Sequence, residues 1–592
     1  PITFKAQNKG KVLFKGDPNL TGMQFAISID GKSHINIDGI HVEMQSINYG
    51  RWLRIRGFEN GIRAHDINIT NCLMQNATGS EDTLNAYNDK SPVALSYCDN
   101  IRLTGNTIRD LRRMDDMISI KYATKIVLDG NAISKAPHVS LVVNCEPEFL
   151  YEGTHSDGNY ENRIYNTNKL VIRNNVFNTQ TGRRFSIFPS ENVLIEGNIF
   201  SENINGGGNA NGADKILANQ GIYRFNRVMR NSIFPIEIAP YGEEQFAENI
   251  RIYNNIFAEN ANCAIFFSDS ECRVNNNIIK NNIFYNNDNN AEKINMRFLR
   301  NPDDLELEND AYMKIHNNLF WHGNGVKPYF VSWDGWSANI LKHSLESLQP
   351  SGKFINNINE DPLFKNAKNY NFALESGSPA IDSAEALTTA LGAGTNSTEL
   401  IVADARYFYD GWGISGENGD TISVGTASNT ATITGVDYEN NIITLDEPIS
   451  WDEGAEVNLA YSEDGVDLGI YEMGDTGRVS VQIETQPFKV TAGDSVTLTA
   501  KVHGSCTTSS YSWDFGDGSA SGSGSSVPHI YNNAGQYAIF CTVTASDGKV
   551  YKGCSYIIVY AQDALKQPLR KCTFDENDND WEWYINTGTR DS

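Results

Sequence analysis

The chain has 592 residues, 40% hydrophobic and 20% charged, and its 73 acidic against 48 basic residues give a formal net charge of −25. That balance argues against nucleic acid or an anionic membrane surface as a partner. No apolar run reaches the roughly 18 residues a membrane-spanning helix needs, so membrane insertion is set aside, and the length leaves room for several domains.

Residues 1–385 carry one repeated phrase: an aliphatic residue, two variable positions, usually asparagine, and a hydrophobic pair. It reads Leu103-Thr-Gly-Asn106-Thr-Ile108, Ile172-Arg-Asn-Asn175-Val-Phe177, Ile195-Glu-Gly-Asn198-Ile-Phe200, Ile252-Tyr-Asn-Asn255-Ile-Phe257 and Ile279-Lys-Asn-Asn282-Ile-Phe284, among others. Cys72 takes the asparagine slot of a ragged first copy, and Asn357 marks a ragged last one. From Asn106 the intervals are 25, 44, 23, 28, 29, 27, 36 and 39 residues. A repeat of this size with irregular insertions is a solenoid signature. Short period-2 runs such as Ile250-Arg-Ile252 identify the repeating elements as strands. The predicted fold is therefore all-β, a right-handed parallel β-helix with one turn per repeat. The asparagines are expected to stack as a hydrogen-bonded ladder at an inward bend, with the hydrophobic residues beside them in the dry interior. Pro1-Ile-Thr-Phe-Lys-Ala already reads as the middle of a coil. Because a solenoid end needs a cap, a leader and one or more coils are expected before residue 1.

Insertions at 76–92, 146–167, 201–215 and 301–311 concentrate Gly, Asn, Asp and Glu. Residues 386–462 change character, alternating Thr, Val, Ile and Leu around turn signals, and predict a small β-barrel inserted near the last coil. Residues 463–476, with Val466-Asp-Leu-Gly-Ile-Tyr-Glu472, predict a final coil. Residues 479–561 contain about seven short strands, as in a small β-sandwich. Residues 562–592, with Trp581-Glu-Trp583-Tyr584, predict the start of an incomplete β module. The nine cysteines are too few for a disulfide scaffold. Candidate pairs are Cys263 with Cys272, and two among Cys506, Cys541 and Cys554. Cys72, Cys98 and Cys145 read as buried thiols.

The motif Trp513-Asp-Phe-Gly-Asp-Gly518, followed by His529-Ile-Tyr531 and Ala534-Gly-Gln-Tyr537, resembles the PKD domain. The asparagine ladder, with Ser378-Pro-Ala-Ile-Asp382 and Asp467-Leu-Gly-Ile-Tyr-Glu472, resembles the secreted β-helix proteins of the pectate-lyase-like superfamily. These resemblances imply a secreted, extracellular or cell-surface protein acting on an acidic polysaccharide by β-elimination or hydrolysis. The alternative they leave open is a non-catalytic surface, adhesive or filament-forming protein, assembled end to end or on the cell surface through the β-helix end or the C-terminal modules.

About ten residues beyond each ladder asparagine lies a second strand whose outward positions form a column of candidates. Glu237, in Phe234-Pro-Ile-Glu-Ile-Ala-Pro240, is the carboxylate best placed for general acid work, since a rigid strand fixes it between prolines. Asp269 on the next coil is its expected carboxylate neighbour, the pair a hydrolase would use. A lyase instead needs a base, for which Lys121 and His138 are candidates. It also needs a cation to neutralise a uronate carboxylate, supplied by Arg184, Arg297 or a Ca²⁺ held by Glu237, Glu243 and Asp269. Glu244 adjoins Glu243 as a further candidate ligand. Asp116 is a candidate acid on an earlier coil, and Asn144 and Tyr241 are candidate substrate contacts.

Overall fold

The computed structural model describes residues 1–7, 12–16, 24–44, 50–58, 62–77, 91–111, 116–136, 139–143, 167–178, 183–201, 214–231, 235–238, 246–261, 263–267, 273–288, 294–298, 313–323, 326–333, 340–352, 354–367, 371–461, 465–470, 479–487, 489–503 and 506–562. Each repeat contributes one strand to each of three parallel sheets. The first sheet holds the strand that precedes the ladder asparagine, such as Thr124–Asp129 beside Asn168–Arg173. The second sheet runs through 11 short strands from Leu13–Lys15 to Leu319–Trp321. The third sheet includes Ile118–Lys121, Val139–Val143 and Ile236–Ile238. Two long strands, Arg183–Glu196 and Asp214–Arg224, bend from the third sheet into the first and tie them together.

The repeated phrase is the bend between the first and second sheets. The residue before each asparagine takes a left-handed conformation, at φ 63° for Gly105, 65° for Gly197, 54° for Asn174 and 51° for Asn254. Glycine and asparagine accept that conformation at low cost. Phe225 holds it at φ 56°, which costs a bulky residue about 1–3 kcal/mol. Its compensation is burial, edge-on to Tyr253. The asparagine side chains then run as a continuous ladder. Asn226 Oδ1 accepts from the Asn198 backbone N–H at 2.9 Å and from Asn198 Nδ2 at 3.0 Å, while Asn226 Nδ2 donates to Ile195 O at 2.9 Å. The same bonds run from Cys72, whose N–H donates to Asn106 Oδ1, down to Asn357. A second, shorter ladder stands at another bend, where Asn231 donates to Asn260 and Asn260 to Asn287, both at 2.7 Å.

The hydrophobic pair after each asparagine does not go wholly inside. Its second member fills the interior: Phe257, Phe284 and Phe320 stack with centroids 4.9 and 4.7 Å apart. Its first member, as in Val176, Ile199, Ile256 and Ile283, points outward and is buried from the other side. Successive side chains on a strand alternate faces, so both members cannot share the interior.

What buries the outer faces is the rest of the chain. Strands Thr388–Thr389, Gly394–Ile401, Thr421–Val424, Thr426–Asp437, Ile442–Trp451 and Glu456–Leu459 form an antiparallel sheet. A bridge from Ala390 to Val402 joins its edge strands and closes it into a small barrel. The barrel packs Tyr407, Phe408 and Ile414 into a cluster with Val127, Val171, Leu194 and Ile222, the outward column of the first sheet. Arginines from that sheet anchor it. Arg224 pairs with Asp420 at 2.7 Å and with Glu196, Arg251 pairs with Asp404 at 2.7 Å, and Arg102 and Arg173 both reach Glu417.

Residues 465–470 lie across the second sheet, with Leu468 and Ile470 on its outward column and Gly469 N–H donating to Asn281 O. Beyond them a β-sandwich forms from a three-stranded and a four-stranded sheet. Its last strand, Val550–Tyr560, docks on the second sheet: Tyr556 hydroxyl meets Ser201 at 2.5 Å, and Lys552 Nζ donates to Asn71 and Gly105 O. Cys506, Cys541 and Cys554 are all free thiols, which corrects the expected disulfide among them. Cys541 sits inside the sandwich core, whereas Cys554 faces the solenoid, so the two are directed apart. Cys72, Cys98 and Cys263 are buried, and Cys145 and Cys272 fall outside the described residues.

Candidate functional site on the third sheet

Among the described residues, the contacts of barrel and sandwich fall on the first and second sheets and their shared bend. The outward face of the third sheet carries none of these contacts among the described residues. Register places Arg54, Ala94, Ser119, Val142, Ser186, Lys215, Glu237, Phe266 and Arg297 on successive rungs of one outward column. Alternation fixes that orientation: Ile236 and Ile238 are fully buried in the interior, so Glu237 between them points out. Adjacent rungs are about 4.8 Å apart. Glu237 thus stands one rung from Lys215 and two from Arg297, with the half-buried ring of Phe266 between.

Glu237 is 3% exposed and Lys215 6%, so both are desolvated and Glu237 is not a solvated surface glutamate. Lys215 Nζ also lies 5.6 Å from the centroid of Phe188. Arg297 is half-buried, and its Nε is removed from solvent with no hydrogen-bond partner among the described residues. The hydroxyls of Ser96, Ser119 and Ser186, on the same sheet, are likewise buried without partners among those residues. Buried donors are normally satisfied.

Residues 155–298 match the right-handed β-helix region family, and residues 481–557 match the PKD domain family. The chain carries a right-handed β-helix and a PKD domain. A solved structure concerned with carbohydrate-binding modules of the β-sandwich superfamily is 24% identical over 14% of this chain and 35% of its own, with a TM-score of 0.14. The surface adhesin PfbA of Streptococcus pneumoniae is 12% identical, covering 57% of this chain and 87% of its own, at a TM-score of 0.30. The periplasmic alginate epimerase AlgG is 13% identical, covering 54% and 72%, at a TM-score of 0.24. No curated protein matches the chain. No helix among the described residues is long and apolar enough to cross a membrane.

The remaining candidates scatter over the β-helix. Lys121 faces outward in a neighbouring column after Arg56 and Ser96, and half-buried Asp116 precedes its strand. That strand lies four rungs from Glu237, about 19 Å at the usual spacing, so neither residue joins the Glu237 group. Arg184 is a correction to the outward reading. It points into the solenoid, 1% exposed, with Nη2 on Asp214 Oδ2 at 2.6 Å and Nη1 donating to Asn231 at 2.8 Å. It closes one end of the second asparagine ladder and lies over Phe200, so it has no access to a ligand on the face. Burial pushes the Asp214 carboxyl up against the opposing pull of Arg184. Asp269, His138, Asn144, Tyr241, Glu243 and Glu244 lie outside the described residues, and with them every expected Ca²⁺ ligand except Glu237. Sequence reasoning missed Lys215 and Phe266. Alternation was the available signal: Ile265 and Phe267 both face inward and force Phe266 out.

Proposed function

We propose that this β-helix binds an acidic polysaccharide along the outward face of its third sheet and cleaves it there by β-elimination. The observation that carries the reading is the consecutive column Lys215, Glu237, Phe266 and Arg297, on the face where no barrel or sandwich contact falls among the described residues. In a chain of net charge −25, a column bearing two cations around one carboxylate is a local reversal of charge suited to a polyanion. Arg297, whose Nε has no hydrogen-bond partner among the described residues, neutralises a uronate carboxylate as negative charge builds in the transition state. Glu237 and Lys215 move the protons: one is taken from the carbon α to that carboxylate, and one is delivered to the departing glycosidic oxygen. The ring of Phe266 supports a sugar face between them. Hydrolysis by paired carboxylates is the weaker reading, because Glu237 is the one carboxylate among the described residues of this column.

The test is incubation with a panel of uronate and sulfated polysaccharides, with Ca²⁺ present and after chelation, following the ultraviolet absorbance of a new unsaturated sugar. Glu237→Gln is expected to lower turnover at least ~100-fold with polymer binding retained, and Arg297→Ala to weaken both. Reducing ends without the absorbance would assign hydrolysis. Binding with neither product would reduce the role to adhesion, and an unaffected Glu237→Gln would remove that residue from the chemistry.

A further inference from the structure

Far from that column, on the early coils, the bend that leads into the first sheet brings together two imidazoles and a carboxylate. His34 and Asp66 occupy equivalent left-handed positions on successive coils, at φ 57° and 55°, and Asn100 follows at 52°. His and Asp are among the residues that enter this region most readily without being glycine, and the repeat stacks their side chains directly over one another. His65 immediately precedes Asp66. Its Nδ1 lies 2.8 Å from Asp66 Oδ2, and His34 Nδ1 lies 3.4 Å from the same oxygen. The two rings stand edge to face with centroids 5.2 Å apart. One ligand atom from each of the three residues lies within 4.8 Å of the other two.

We propose that His34, His65 and Asp66 form a binding site for a divalent transition metal of the zinc class, independent of the polysaccharide face. Two imidazoles with one carboxylate suit zinc, nickel or copper and not calcium or magnesium, which take all-oxygen shells. Asn100 supplies the outer support such a site needs: its Nδ2 donates to Asp66 Oδ1 at 2.5 Å, which leaves Oδ2 turned toward the imidazoles. Asp99 stands one rung from His65 and has a buried Oδ1 with no partner among the described residues, adding negative charge beside the cluster. The side chains of His34, His65 and Asp66 are 60%, 42% and 37% exposed, so an ion enters without unfolding the coil. Three protein ligands leave a fourth position for water or a partner's side chain.

The test is calorimetric titration of the full chain, free of any polyhistidine tag, with Zn²⁺, and with Co²⁺ followed by its visible absorption. One equivalent is expected to bind. The double variant His34→Ala/His65→Ala is expected to lose it, and Asn100→Ala to weaken it roughly 10–100-fold. Ca²⁺ should not compete. A second measurement needs no variant: histidine modification mapped by mass spectrometry should show His34 and His65 protected by Zn²⁺ and His529 unchanged. The absence of a one-equivalent site, equal binding by the double variant, or no protection at His34 and His65 would each overturn the proposal.

Discussion

At the scale of single residues, position decides what an asparagine contributes. Asn226 is fully buried, and removing its amide leaves the Asn198 N–H without its acceptor, Asn198 Nδ2 with only Ile172 O, and Ile195 O without its side-chain donor. Each orphaned buried group costs about 1–3 kcal/mol, so Asn226→Ala should cost about 3–5 kcal/mol. Asn68 also donates to an asparagine one coil away, Asn36 at 2.8 Å, but it does so half-buried on the outside. Water replaces that bond, and Asn68→Ala should cost no more than about 1 kcal/mol. Urea unfolding followed by circular dichroism compares them, and equal losses would refute the distinction between inner and outer asparagines. Glu237 and Lys215 illustrate the same rule for charges. Both are buried, and a charge held in a desolvated site is costly unless it is paired or hydrogen-bonded.

Among the elements, the barrel's docking is where sequence reading and structure part most instructively. The ladder was legible because the left-handed bend favours Gly or Asn at nearly every turn and the buried slot favours an amide. The docking surface also left a trace. Where the first sheet is covered outside, its strands lose alternation: Ile126-Val127-Leu128, Leu170-Val171-Ile172 and Val193-Leu194-Ile195 are continuous apolar runs, the mark of a sheet buried on both faces. Before the barrel begins, Ile67-Asn68-Ile69 alternates, and at the barrel's rim Ile101-Arg102-Leu103 still does, its arginine reaching Glu417. The second ladder left little trace because it spans only Asn231, Asn260 and Asn287, and Arg184 was misplaced because no repeat fixed its register. The docking has an acid-sensitive component at Glu385, where the chain leaves the β-helix for the barrel. Its carboxylate meets His316 Nδ1 at 2.8 Å and Lys280 Nζ at 3.2 Å. The bond from His316 is the largest influence, and with the Lys280 charge it outweighs burial and pulls the Glu385 pKa from 4.5 down to about 2. A carboxyl with a depressed folded pKa stabilises fully above its unfolded value and loses that contribution as pH falls through the folded one. Glu385→Gln should therefore lower Tm near neutral pH, and the gap to the parent chain should close between about pH 4.5 and 2. A gap that stays constant over that window would show that Glu385 does not hold the junction.

For the whole molecule, the consequence of this architecture is that, among the described residues, the β-helix is clad on two of its three faces by modules of its own chain. If the PKD domain is cladding and not a freely tethered spacer, its docked face must be shielded in solution, and Cys554 reports that directly. Its thiol lies against the second sheet with Sγ 3.1 Å from Asn174 O, and burial pushes its pKa up to about 12. A thiol so placed reacts only when the interface opens. Lys552, two residues away, holds the interface through Asn71 Oδ1 at 2.6 Å and Gly105 O at 3.1 Å. Lys552→Glu sets a carboxylate against two oxygens, and loss of charged hydrogen bonds worth about 1.5–3 kcal/mol should speed alkylation at Cys554 roughly tenfold or more. Cys541 is the internal control. It is buried in the sandwich's own core, so its labelling should not change if the domain undocks intact. Peptide-resolved alkylation of both cysteines separates the outcomes: acceleration at Cys554 alone is undocking, acceleration at both is unfolding of the sandwich. Fast labelling of Cys554 in the parent chain would mean that the PKD domain does not clad the β-helix in solution.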